Sequence, residues 1–205
     1  MHEKLNGAIL FAIIGNALFL LFAVICMIYY KTYTSSVLSD ILGAIDYTAE
    51  FIGFALLAFA DYIIFTTVRG RKPMKLAFSG YILFEAIMMF LELNSYKFKF
   101  YAPYSIGLAI FHALVSGVVC FSFLSLEKDN KKLESLVIIC TGIILGGMLG
   151  KVIGIRIYFS ILVNAISFTL FFAGLRWLIS RDELYIECHG DNANSVEYKS
   201  EFFKD

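Results

Sequence analysis

Charge is scarce in this chain, and where it is missing it is missing in long runs. Residues 5–30, 100–126 and 157–175 contain no Asp, Glu, Lys or Arg. Only 17% of the 205 residues are charged against 60% hydrophobic, and the two signs cancel to a net charge of zero. A net charge of zero gives no argument for nucleic acid or an acidic partner. Proline is nearly absent too. The two present, Pro73 and Pro103, each stand at the start of an apolar run, where a missing N–H costs nothing. No run is broken at its centre, which argues against the interrupted helices of secondary transporters. Of the three histidines only His112 lies inside an apolar run, and no Gly-x-Ser-x-Gly turn occurs. An intramembrane hydrolase therefore lacks its nucleophile and oriented base. No Gly-rich loop ends in Gly-Lys-Ser/Thr, so a phosphate cradle is missing as well. Cys26, Cys120 and Cys140 are scattered through apolar runs and Cys188 stands alone near the end, which fits neither a metal site nor a disulfide framework. These absences lead us to expect no enzyme activity, no metal and no cofactor.

What is present is length. A hydrocarbon core of about 30 Å needs about 20 apolar helical residues. The chain reads as an all-α integral membrane protein, a polytopic bundle of about six transmembrane helices. The spans fall at 7–30, 41–67, 74–94, 101–126, 135–154 and 157–179. They make a membrane domain of residues 1–180, followed by a short tail of residues 181–205. The first run is too long for the apolar part of a signal peptide, and no small-residue cleavage site follows it. Short connections predict antiparallel neighbours. Lys4, Arg69, Arg71, Lys72, Lys75, Lys128, Lys131, Lys132, Arg176 and Arg181 fall on one side of the bilayer. Lys31, Lys97, Lys99, Lys151 and Arg156 fall on the other. That bias predicts a multi-pass protein of the inner membrane with both termini in the cytosol.

Some charge nevertheless lies within the spans. Asp46, Glu50 and Asp61 in the second span are separated by steps of 4 and 11, which return close to one helical direction. Glu85 and Glu92 in the third are seven apart and share a face. A carboxylate at such depth costs several kcal/mol unless it finds a partner, a proton or water. At about 1.5 Å per residue, Glu85 and His112 both come to the midplane, on consecutive helices. Lys151 could face Glu92, Asp46 or Glu50 near the outer surface. Asp61 lies nearer the cytosol, within reach of the basic 69–75 loop. These residues are a candidate proton or cation path, weighed against plain ion pairs that fix helix register. Asn16 and Asn164 could join the network or bond between helices.

The fifth span carries Gly142, Gly146, Gly150 and Gly154 at steps of four, a groove for close approach of another backbone. Its occupant is either another helix of this chain or the same helix of a second subunit in a homo-oligomer. In the tail, Leu184, Ile186 and Cys188 alternate with polar residues. A His-Gly-Asp-Asn-Ala-Asn stretch follows, and then Val196, Tyr198 and Phe202. That pattern predicts a β-hairpin, which needs a surface to lie on. Leu184, Ile186, Val196, Tyr198 and Phe202 are the candidate docking residues for a soluble cytosolic protein.

Two expectations follow. The first is a non-enzymatic, oligomeric sensor or anchor in the lipid bilayer that holds a soluble effector by its tail, the logic of stress or phage-defence systems. The alternative is a cation or proton channel or small transporter using Asp61 and Glu85.

Overall fold

The computed structural model describes residues 2–29, 36–93, 101–127, 129–152 and 157–188. In chain order the helices are α1 (His2–Tyr29), α2 (Ser36–Thr67), α3 (Lys72–Leu93), α4 (Tyr101–Ser122), α5 (Lys131–Val152) and α6 (Ile157–Ser180). A 3₁₀ turn, Phe123–Ser125, extends α4. Five stretches are long and apolar enough to cross a membrane: Glu3–Ile25, Ile41–Thr67, Lys72–Leu91, Lys131–Leu149 and Ile161–Ser180. The fourth helix carries a shorter apolar stretch, Ile110–Ser125. Phe51, Tyr62, Leu83, Phe90, Leu114 and Ile139 point outward while Phe78, Phe168 and Phe172 fill the centre. Helices that are apolar on both faces suit a lipid surround.

Each helix packs on the next, α6 closes the ring against α1, and α4 also touches α6 across it. The pairing of α1 with α2 is the most extensive, and small residues explain it. Ala8 and Ala12 on α1 are fully buried. Gly15 and Gly53 bring the two backbones together: a methyl group on Gly15 would stand 2.8 Å from the Gly53 carbonyl oxygen, and one on Gly53 would stand 2.9 Å from that of Gly15. The conspicuous ladder on α5 is used differently. Nothing lies within 4 Å of a methyl group placed on Gly142 or Gly146, so at these two positions the groove receives no helix of this chain. The backbone at Gly150 is helical, and Gly154 lies outside the described residues.

The helix ends carry clear local signals. Gly70 and Arg71 adopt left-handed φ angles of 65° and 52°, reversing the chain between α2 and α3. Asn130 caps α5, its Oδ1 accepting from the backbone N–H of Lys132 and Leu133 at 3.1 and 3.0 Å. Beyond α6, Asp182 has φ 55°. Glu183 N–H donates to the Leu178 carbonyl at 2.9 Å and Asp182 N–H to Ile179 at 3.1 Å. This paired closure of the last helical turn is the Schellman arrangement, and it sends the chain back across the bundle's end.

The returning segment corrects the docking assignment. Leu184, Ile186 and Cys188 alternate inward as expected of an extended segment, but they are buried in this chain's own core. Cys188 forms an isolated antiparallel bridge with Val68, and Arg69 N–H donates to the Glu187 carbonyl at 2.8 Å. The Asn130 amide donates to the Glu183 carbonyl at 2.7 Å. Ion pairs Arg69–Glu187 (3.1 Å) and Lys132–Glu183 (2.7 Å) flank the strap. Leu184 and Ile186 are thus spent on holding the tail down, because side chains of that size find apolar cover beneath them. No strand is present among the described residues, and Val196, Tyr198 and Phe202 lie outside them.

Candidate functional site: a buried Glu–His–Asn network

On α3, Phe78, Tyr81 and Glu85 follow at steps of three and four and so share one face. That face points to the centre of the ring, and Glu85 is only 8% exposed. From α4, His112 places Nε2 at 2.6 Å from Glu85 Oε1. From α6, the buried Asn164 places Nδ2 at 3.2 Å from His112 Nδ1. The Tyr81 hydroxyl donates to the same Glu85 carboxylate. Three helices therefore meet at one imidazole. Tyr81 lies nearly parallel to it, with centroids 6.1 Å apart and planes at 11°, and Phe84 packs at 5.4 Å. Tyr81 leads into an aromatic cluster toward the 123–131 end of the bundle, meeting Phe168 at 5.0 Å. Phe78, Phe123 and Phe172 continue the cluster beyond.

An isolated carboxylate in such surroundings is costly, whereas one that accepts from two donors is compensated. The pair can hold a proton between a carboxylate and an imidazole, away from bulk water. Ser116, one turn further along α4, is fully buried and its hydroxyl has no partner. A bound water fits such a group.

Of the residues singled out in the sequence, the structure brings together Glu85, His112 and Asn164. It keeps Asp61 apart. Asp61 Oδ2 accepts from the Ser79 hydroxyl at 2.8 Å, and its other oxygen is buried without a partner. Ser79 and Glu85 stand six residues apart, about 120° around α3, so the two carboxylates face different neighbours. Nor does the basic loop reach Asp61. Lys75 instead donates to the Phe65 carbonyl at 2.7 Å, over the Phe65 ring, satisfying the end of α2. Glu50 is buried within the bundle. Asn16 bonds the Ala12 carbonyl of its own helix at 2.8 Å rather than another helix. The side chains of Asp46, Glu92 and Lys151 lie outside the described part of the structure. Tyr81 and Ser79 were missed in the sequence. Tyr81 could have been found, since it lies one helical turn before Glu85.

At the end where the tail returns, a cleft of about 240 Å³ is lined by Glu3, Asn6, Ile179, Ser180, Asp182, Leu184 and Tyr185. It sits outside the network, between the start of α1 and the strap.

No family model, curated protein or solved structure matches this chain. Its function is read from its own geometry.

Proposed function

We propose that this chain is a proton-responsive membrane sensor that lies in the inner membrane with both termini in the cytosol. A proton is bound and released at Glu85–His112, and the change is passed along α3, α4 and α6 to the strapped tail. The observation that carries this reading is the buried Glu85–His112–Asn164 contact, which ties these three helices to one titratable ring. The opposite ends of the same helices converge on the tail. The turn before α3 bonds Glu187, Asn130 beyond α4 bonds Glu183, and α6 runs directly into Asp182. Residues 189–205, with Val196, Tyr198 and Phe202, then form the element that engages a soluble protein. Packing interfaces are bistable rather than continuously deformable, so a proton at the centre can select between two arrangements at the end. The open Gly142/Gly146 face is where a second copy packs, making the assembly a homo-oligomer.

The sole tryptophan provides the test. Trp177 lies near the end of α6, with the Arg181 guanidinium 4.6 Å over its ring. In lipid nanodiscs its emission is expected to change with pH. Glu85→Gln and His112→Gln should abolish that transition. If the wild-type trace matches both variants, the sensor reading fails.

Permeation is the second reading, favoured by the unpartnered Asp61 oxygen. It calls for proton or cation leak in liposomes that Asp61→Asn and Glu85→Gln each remove. Leak that survives both changes rejects it.

A further inference from the structure

We propose that Asn164 is a positioning residue that decides which nitrogen of His112 holds the proton, and that its carboxamide rotates when the ring takes up a second one. The inference rests on reading Glu85–His112 as the proton site. It follows from counting donors and acceptors. The Asn164 nitrogen facing Nδ1 at 3.2 Å is a donor only, so Nδ1 must be the acceptor. A neutral imidazole has one N–H, which is then on Nε2 and donates to Glu85 at 2.6 Å. Each contact fixes the other.

Uptake of a proton breaks this pattern at one place. On the imidazole the free position is Nδ1, and a proton there sets an N–H against the Asn164 NH₂. Two facing donors in a buried site lose a hydrogen bond and leave both groups unsatisfied. A half-turn of the amide about its last torsion exchanges Nδ2 for Oδ1 and restores the bond. A proton on Glu85 instead would leave the acid one oxygen to accept the Nε2–H and would turn the Tyr81 hydroxyl from donor to acceptor, with no change asked of Asn164. Among the described residues the titratable group facing the pair is Tyr81 on α3, with the Cys120 thiol of α4 beside Tyr81; α6 presents the neutral Asn164. The Cys140 thiol on α5 lies behind Cys120. When the ring takes the proton, the amide is the element that must move. It sits on α6, which runs directly into the strapped tail.

The test is the state of the His112 ring nitrogens by ¹⁵N solid-state NMR, with the full chain in lipid bilayers. His2→Gln and His189→Gln leave His112 as the labelled histidine. At pH 8 the expected spectrum shows Nε2 protonated and Nδ1 bare. Asn164→Ala should lower the ratio of the two tautomers roughly fivefold, the weight of one hydrogen bond. Asn164→Asp offers only acceptors and should add a proton at Nδ1 while Nε2 keeps its own for Glu85. Asn164→Leu serves as a second test that adds no buried charge, with the same loss of tautomer bias as alanine. Wild-type Nδ1–H at pH 8, or a tautomer ratio unmoved by Asn164→Ala and Asn164→Leu, overturns the inference while a titrating His112 keeps the sensor reading. A ring whose protonation does not change with pH sinks both.

Discussion

At Gly15 and Gly53 the backbones of α1 and α2 touch, whereas at Gly142 and Gly146 the flank of α5 faces open space. The second pair belongs to a regular four-residue ladder and the first pair to no ladder at all. A repeated small residue shows that a helix can be approached closely. It does not show that the approach occurs within the chain. Where it does, the neighbouring sequence supplies the rest: Ala8 and Ala12 on one side, Ala49 and Leu57 on the other, all buried. Glycine within a helix costs about 1 kcal/mol relative to alanine, and contact with a facing backbone offsets that cost only at the crossing.

This contrast is broken most forcefully at the crossing itself. Gly53→Leu puts a branched side chain where a methyl group already meets the Gly15 carbonyl oxygen at 2.9 Å. Backbone cannot swing aside as a side chain can, so α1 and α2 must separate. Overpacking of this kind costs typically about 1–3 kcal/mol and occasionally more. Gly53→Ala should already lower the thermal midpoint in detergent, despite its better helix propensity. A midpoint equal to or above wild type for Gly53→Ala would remove the crossing from the account of the fold.

Two further glycines grade the comparison. A methyl group at Gly147 would meet Val163 Cβ at 2.8 Å, and one at Gly174 would meet the Leu136 δ-carbons at 2.6 and 2.8 Å. Valine is stiff at its first torsion, whereas the end of a leucine can turn away. Gly147→Ala is therefore expected to destabilise by about 1 kcal/mol, at the lower end of overpacking costs. Gly174→Ala should change little. Thermal midpoints of the two variants in the same detergent check the order, and the reverse order would contradict it.

The same contrast marks what was legible in the sequence. The helices and their order were plain, because runs without charge and prolines confined to run starts leave few other readings, although among the described residues five stretches rather than six are long and apolar enough to cross a membrane. The pairing of Glu85 with His112 was approachable from depth alone, since both count to the midplane on consecutive helices. Asp61 could not be read that way. Depth says nothing of direction around a helix, and its partner is the Ser79 hydroxyl rather than a base. Alternation in residues 184–188 read as one arm of a β-hairpin, but no strand is present among the described residues, and alternation is blind to whose surface lies beneath. Burial against Val68, in this chain's own core, is a tertiary fact. The reversal that makes it possible depends on Asp182 adopting a left-handed φ, a conformation open to Asp as well as Gly.

The smallest effect on the fold is expected at the ladder, and it is the most informative. Nothing within the chain opposes a methyl group at Gly142 or Gly146. Gly142→Ala and Gly146→Ala should thus leave stability unchanged or raise it by up to about 1 kcal/mol each through helix propensity, opposite in sign to Gly53→Ala. Gly142→Leu with Gly146→Leu should likewise leave the protomer folded while roughening the groove. Because close approach between helices in lipid depends on small residues, that double change is expected to reduce the assembly mass measured in mild detergent to that of the single chain. An unchanged oligomeric mass would move the contact between copies to another face. A monomer in both forms would leave the ladder facing lipid, with its glycines open to replacement by any apolar residue.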